Sequence, residues 1–197
     1  MDFIKENIYH IYNRGNNKQS IFFTEGNYIY FLQKVRKYII PHCDILAYAL
    51  MPNHFHFLIH ADERTEKQLT DLKMNRNVLS EGIRLLLSAY TKGINKQQER
   101  TGNLIQQNTK SKCVTEVSNM NGQGYATTCF HYIHQNPLMA GFVNKIEDWH
   151  YSSYRDYAGL RKGTLCNQQL AKELLGIQID DVKQKRIFSD ESLKNIW

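Results

Sequence analysis

No stretch of this chain approaches the ~18–20 consecutive apolar residues of a membrane span, which argues against a membrane-spanning protein. The first residues, MDFIKENIYH, lack a long apolar run behind a basic start, so no secretory signal is read and the expected location is the cytoplasm. The four cysteines, Cys43, Cys113, Cys129 and Cys166, form no C-x-x-C pair. Neither a zinc ribbon nor a redox motif is therefore available, and in a cytoplasm the four are expected as free thiols packed like small apolar groups. Internal repeats and low-complexity tracts are lacking too.

What remains is a globular composition: 197 residues, 42% hydrophobic and 22% charged. At ~100–200 residues per domain this predicts a single domain whose core needs no staples. Lys and Arg number 25 against 19 Asp and Glu, a formal charge of +6. That excess is compatible with solubility alone, and it favours polyanions over acidic proteins as partners.

Residues 8–13, IYHIYN, are aromatic and β-branched and run into the turn-forming Asn13-Arg14-Gly15-Asn16-Asn17, predicting a strand and a tight loop. Glu25 to Ile40 carries Ile29, Leu32, Val35 and Ile39 at helical spacing and closes at Pro41. Residues 43–50 and 54–60 are β-prone and joined by Met51-Pro52-Asn53, predicting adjacent strands. Glu66 to Lys96 places Leu69, Leu72, Leu79, Ile83, Leu86 and Leu87 on one face, predicting one broken helix or two consecutive ones. KCVTEV, at 112–117, is β-prone, NMNGQG at 119–124 reads as a hinge or exposed loop, and Tyr125 to Gln135 reads as a helix. Strands interleaved with helices predict an α+β sandwich, an antiparallel sheet with helices packed on it. The tail from Gly159, with a short helical piece at Gln168 to Leu175 and the charged run DDVKQKR, is expected to wrap this domain.

Two short segments could carry chemistry. On a strand, His54 and His56 of HFHFLIH project together, about 7 Å apart along the backbone, while Phe55, Phe57 and Ile59 point into a core. The pair is either structural or two ligands of one ion, and two imidazoles alone seldom hold a metal. In HYIHQNP, Tyr132 and Asn136 lie four apart on a helix and can reach a common point. Tyr132 is either core or a phenolic nucleophile, and Asn136 offers an amide oxygen. Tyr90, Tyr125 and Tyr151 have no ligating residue four positions on: Ile94, Cys129 and Arg155 follow them.

HFH after MPN, with YHIYNRGNNKQSIFF before it, YIHQNPLMAGFV after it and DWHYSSYRDYAG later, resembles the single-tyrosine HUH transposases, which include insertion-sequence and REP-associated enzymes. The resemblance covers roughly residues 8–159. It implies a ferredoxin-like or RRM-like antiparallel sheet, with the histidines on a central strand and the tyrosine on a C-terminal helix. It further implies a catalytic domain at 1–158 with an extension at 159–197, and a homodimer. Its members cleave and rejoin single-stranded, often hairpin, DNA through a 5′-phosphotyrosine. Carried over residue by residue, it makes Tyr132 the nucleophile and His54, His56 and Asn136 the ligands of a divalent metal ion, Mg2+ or Mn2+. Two other functions stay open: a non-catalytic nucleic-acid-binding module, and a metal-dependent nuclease that activates water. Arg14, Lys18, Lys34, Arg36, Lys37, Arg84, Lys92, Lys110 and Lys112 are candidates for phosphate contacts, and Tyr12, Phe22 and Phe23 for base stacking or for the core.

Overall fold

The computed structural model describes residues 1–67, 77–115 and 124–177. Within them the chain runs β1 (Ile8–Arg14), α1 (Glu25–Tyr38), β2 (Asp44–Met51), β3 (His54–His60), α2 (Val78–Gln97), β4 (Lys110–Cys113), α3 (Tyr125–Met139), α4 (Tyr154–Tyr157) and α5 (Gln168–Leu175). The strands form one antiparallel sheet in the order β2-β3-β1-β4, and its strand-helix-strand-strand-helix-strand path is the ferredoxin-like arrangement. The α+β expectation holds, and β3 has a neighbour on each side.

The alternation of side chains along β3 divides the molecule. Phe55 and Phe57 point toward α1 and α2, where Phe31 lies 5.2 Å from Phe55 and meets Tyr90 edge-on at 4.9 Å. Burying such aromatic side chains contributes roughly 1.5–3 kcal/mol each. Tyr90 is fully buried there and its hydroxyl donates to the Ile21 carbonyl, so this tyrosine belongs to the core. The helices approach closely because α2 carries Gly82: a Cβ at that position would stand 2.2 Å from the Tyr38 carbonyl oxygen of α1.

On the other face, α3 lies over β2 and β3. Ala47 and Ala49 of β2 pair with Leu58 and His56, and these small side chains leave room for the helix. Residues 159–177 return to β2, where the Asn167 N–H donates to the Ile45 carbonyl. Arg161 is clamped there by both oxygens of Asp156 and by the Tyr48 hydroxyl and the Ser152 carbonyl.

Three expectations change. The buried stripe of α1 is Tyr28, Phe31 and Val35, while Ile29 is 55% exposed. The aromatic residues outweigh the isoleucine in setting which side of the helix faces the sheet. Of the helical stretch expected from Glu66, the described helix, α2, begins at Val78, where the Asn77 side chain accepts from the Ser80 N–H and caps it. Glu66 and Lys67 precede it outside any helix, and Leu69 and Leu72 lie outside the described residues. Finally, α3 continues through Pro137 to Met139, which is possible because proline in the last turn removes a single hydrogen bond and the Ala140 N–H still reaches the Asn136 carbonyl. Most of the expected loop at 119–124, the end of KCVTEV and the charged run at 180–186 lie outside the described residues.

Candidate active site

The same alternation that sends Phe55 into the core sends His54 and His56 to the α3 face. In the antiparallel register Tyr12 of β1 stands opposite His56 and Arg14 opposite His54, while Lys110 and Lys112 of β4 stand opposite Tyr12 and His10. Three adjacent strands therefore place imidazoles, a phenol and cations on one surface.

Helix α3 brings the second half. Asn136 is buried, with its Oδ1 3.3 Å from His54 Nε2 and its Nδ2 3.4 Å from His56 Nε2. Tyr132, one turn earlier, hydrogen-bonds Asn136 and sets its ring edge-on to His56 at 5.7 Å. The sequence-predicted quartet of His54, His56, Tyr132 and Asn136 thus meets at one point. Burial pushes the Tyr132 hydroxyl well above the ordinary phenol range, and its hydrogen bond to Asn136 opposes that shift. Burial also lowers both histidines below the usual imidazole range, His56 the more because His10 and His54 lie beside it. Both are therefore neutral near pH 7, the state in which imidazole ligates metals.

Asn53 Oδ1 lies 2.6 Å from His54 Nδ1, and Asn53 is held in that orientation because its Nδ2 donates to the Lys18 carbonyl at 3.3 Å. An amide oxygen only accepts, so His54 carries its proton at Nδ1 and turns the Nε2 lone pair toward Asn136 Oδ1, a second acceptor. Two lone pairs at 3.3 Å repel unless a positive charge stands between them. The 3.3 Å separation of His54 Nε2 and Asn136 Oδ1 also suits neighbouring ligand atoms about 2.1 Å from a shared ion. The residues fit a divalent cation. Among the described residues no cluster of three or more His, Cys, Asp or Glu offers a competing site.

A cavity of about 310 Å³ opens beside the histidines, lined by Tyr12, Asn13, Arg14, Lys18, Gln106 and Lys110 along with Asn53, His54 and His56. Its lining holds three cations and no carboxylate. The tight turn of residues 15–19 builds one wall: a Cβ on Gly15 would sit 2.1 Å from the Gln19 carbonyl oxygen, so glycine is required. Asn13, 3% exposed, builds another by donating to the Gln106 carbonyl and to Thr109 Oγ1, both at 2.9 Å.

The other candidates lie elsewhere. Arg84 and Lys92 border a groove of about 670 Å³ between α2 and residues 103–109, which meets the first cavity at Gln106, and Arg84 is paired with Glu81. The Lys112 ammonium lies over the Tyr125 ring at 5.2 Å. Lys34, Arg36 and Lys37 are on α1, across the sheet from the histidines, where Arg36 donates to Thr164 and the lysines sit over Tyr30 and Tyr38. Phe22 stacks on Tyr28 at 4.3 Å in the core, and Tyr12 is half-exposed at the cavity.

Among solved structures this fold has a match. One of 17% sequence identity, a REP-associated tyrosine transposase bound to a REP hairpin, aligns over 96% of this chain and 97% of its own, with a TM-score of 0.56. The chain has the fold of a REP-associated tyrosine transposase. No family model matches the sequence, and no curated protein does. Among the described residues no helix is long and apolar enough to cross a membrane.

Sequence reasoning missed His10 and Asn53, which contact the two histidines from outside, and Asn13 and Gln106, which shape the cavity. His10 and Tyr12 alternate on β1 just as His54 and His56 do on β3, and that period-two signal was available. Which strand lies beside which was not.

Proposed function

We propose that the chain is a metal-dependent single-strand DNA transposase or nickase that cleaves and rejoins DNA through a 5′-phosphotyrosine on Tyr132. The observation that carries this reading is the convergence of His54 Nε2 and His56 Nε2 on the Asn136 amide, with Tyr132 one helical turn away. The likeness in fold to a tyrosine transposase solved with a REP hairpin supports single-stranded or hairpin DNA as the partner.

His54, His56 and Asn136 would hold Mg2+ or Mn2+. When bound, the cation neutralises and polarises a non-bridging phosphate oxygen. Arg14, Lys18 and Lys110 draw the phosphodiester backbone into the cavity, and Tyr12 offers a ring face to a base. The Tyr132 oxygen attacks phosphorus in line: the new O–P bond forms as the bond to the 3′ oxygen breaks, giving a 5′-phosphotyrosine and a free 3′-hydroxyl. The phenol loses its proton in the attack, and the 3′ oxygen takes one on leaving. Attack by a 3′-hydroxyl on the phosphotyrosine reverses these steps and rejoins DNA, so bond energy is kept and no ATP is consumed. Like any phenol Tyr132 is protonated near pH 7, and burial holds that proton more firmly, so its ionisation awaits DNA and cation. A homodimer is part of the proposal, and sedimentation of the chain with and without DNA reads it.

The test uses labelled single-stranded hairpin DNA with Mg2+ or Mn2+, followed by denaturation. A covalent protein–DNA band is expected, and it disappears in Tyr132→Phe and in His54→Ala. Cleavage that persists in Tyr132→Phe would identify a nuclease using activated water. Binding without cleavage or metal dependence would identify a binding module.

A further inference from the structure

His10 is 1% exposed, and its ring stacks on Tyr12 at 4.8 Å and on His56 at 5.1 Å. Its Nε2 lies 2.9 Å from Nδ1 of His56. Two ring nitrogens at that distance share one proton, and the far side of the His56 ring decides which of them owns it. There, Nε2 faces Asn136 Nδ2, a donor, at 3.4 Å. A neutral imidazole that accepts at Nε2 carries its proton at Nδ1. With the Asn136 amide in this orientation, the Nδ1–H of His56 donates to Nε2 of His10, whose own proton is then on its buried Nδ1.

We propose that His10 is a positioning residue which, by accepting this hydrogen bond, fixes His56 in the tautomer whose Nε2 lone pair is turned to the metal-binding centre. This rests on the metal-dependent reading of His54, His56 and Asn136. Ligating histidines usually donate their second ring N–H to a fixed acceptor, and loss of that acceptor typically costs ~10–100-fold in metal affinity or activity. Here the two imidazoles are served separately. Asn53 orients His54 from the turn between β2 and β3, and His10 orients His56 from the neighbouring strand. The placement is set by register: Tyr12 stands opposite His56, so His10 is its diagonal neighbour on the same face. Both acceptors are neutral, which orients the rings without adding negative charge where a phosphate must bind.

The test uses the 197-residue chain labelled with 15N-histidine. Long-range proton–nitrogen spectra of the metal-free protein read which His56 nitrogen is protonated, and the signal of unbound Mn2+ in electron paramagnetic resonance reads metal affinity. His10→Leu removes the acceptor, whereas His10→Gln offers an amide oxygen at similar reach. The expected results are a His56 proton at Nδ1, a ~10–100-fold weaker Mn2+ site in His10→Leu, and recovery to within about threefold in His10→Gln. A His56 proton at Nε2 in the unsubstituted chain overturns the proposal. So does His10→Leu binding Mn2+ within twofold of the unsubstituted chain, or His10→Gln binding as weakly as His10→Leu. If His10→Leu loses its circular dichroism spectrum, the unsubstituted tautomer and His10→Gln decide: Nδ1 protonation with near-full affinity supports the role, and either one failing overturns it. An unsubstituted chain that binds no Mn2+ overturns the proposed metal function itself and this role with it, whereas strong binding that ignores His10 overturns only the role.

Discussion

The two faces of strand β3 differ in nearly everything but backbone. One presents Phe55 and Phe57 to Phe31 and Tyr90, an apolar aromatic layer sealed by two helices. The other presents His54 and His56 to Asn136 and Tyr132, in a layer of polar groups gathered around one amide. A single period of two thus separates the aromatic layer under α1 and α2 from the polar layer under α3, where the proposed chemistry would take place. Changes on the first face should act on folding, and changes on the second on reaction and metal affinity.

The largest contrast should come from pairing one substitution from each face. Tyr132→Phe is expected to lower covalent DNA capture by on the order of 10³-fold or more while leaving the thermal midpoint nearly unchanged. Phe55→Ala, one residue from either histidine, should destabilise the fold by about 3–5 kcal/mol in a urea titration. If Tyr132→Phe unfolds the chain as Phe55→Ala does, the separation of the faces fails. A smaller effect is expected for Gly82→Ala. The added methyl would meet the Tyr38 carbonyl and force α1 and α2 apart, costing about 1–3 kcal/mol by the same titration and leaving Mn2+ binding intact in the folded fraction.

Smaller still are the surface charges, and these sharpen the comparison. Arg14→Ala and Lys110→Ala, at the cavity, should each weaken single-stranded DNA binding several-fold and reduce the slope of log affinity against log salt by about 0.7. Lys37→Ala, on α1 across the sheet, should leave affinity and slope unchanged. Equal losses from Lys37 and Lys110 would mean that DNA wraps both faces.

The legibility of the site varied residue by residue for a physical reason. The facing of His54 and His56, and of Tyr132 and Asn136, follows from local periodicity, so spacing alone paired them correctly. His10 and Asn53 contact the two histidines across strands or turns, and no spacing in the chain encodes which strands become neighbours. The same limit explains the basic residues. Arg36 and Lys110 are indistinguishable as sequence, and only their opposite sides of the sheet separate a Thr164 partner from a cavity wall. Ile29 illustrates the converse: helical spacing was right, but the neighbouring aromatic residues Tyr28 and Phe31 chose the face.

By itself the sequence determined the elements and their order, the alternation that pairs the two histidines, and the helical turn that pairs tyrosine with asparagine, because each depends on residues within a few positions of one another. Tertiary structure decided that these two pairs share a point, that β1 lies beside β3 and lends it His10, and that the Asn53 amide turns His54 toward Asn136. Those contacts span up to 82 positions of chain, and they exist only because burying Phe31, Phe55, Phe57 and Tyr90 on one side of the sheet fixes what the other side must display.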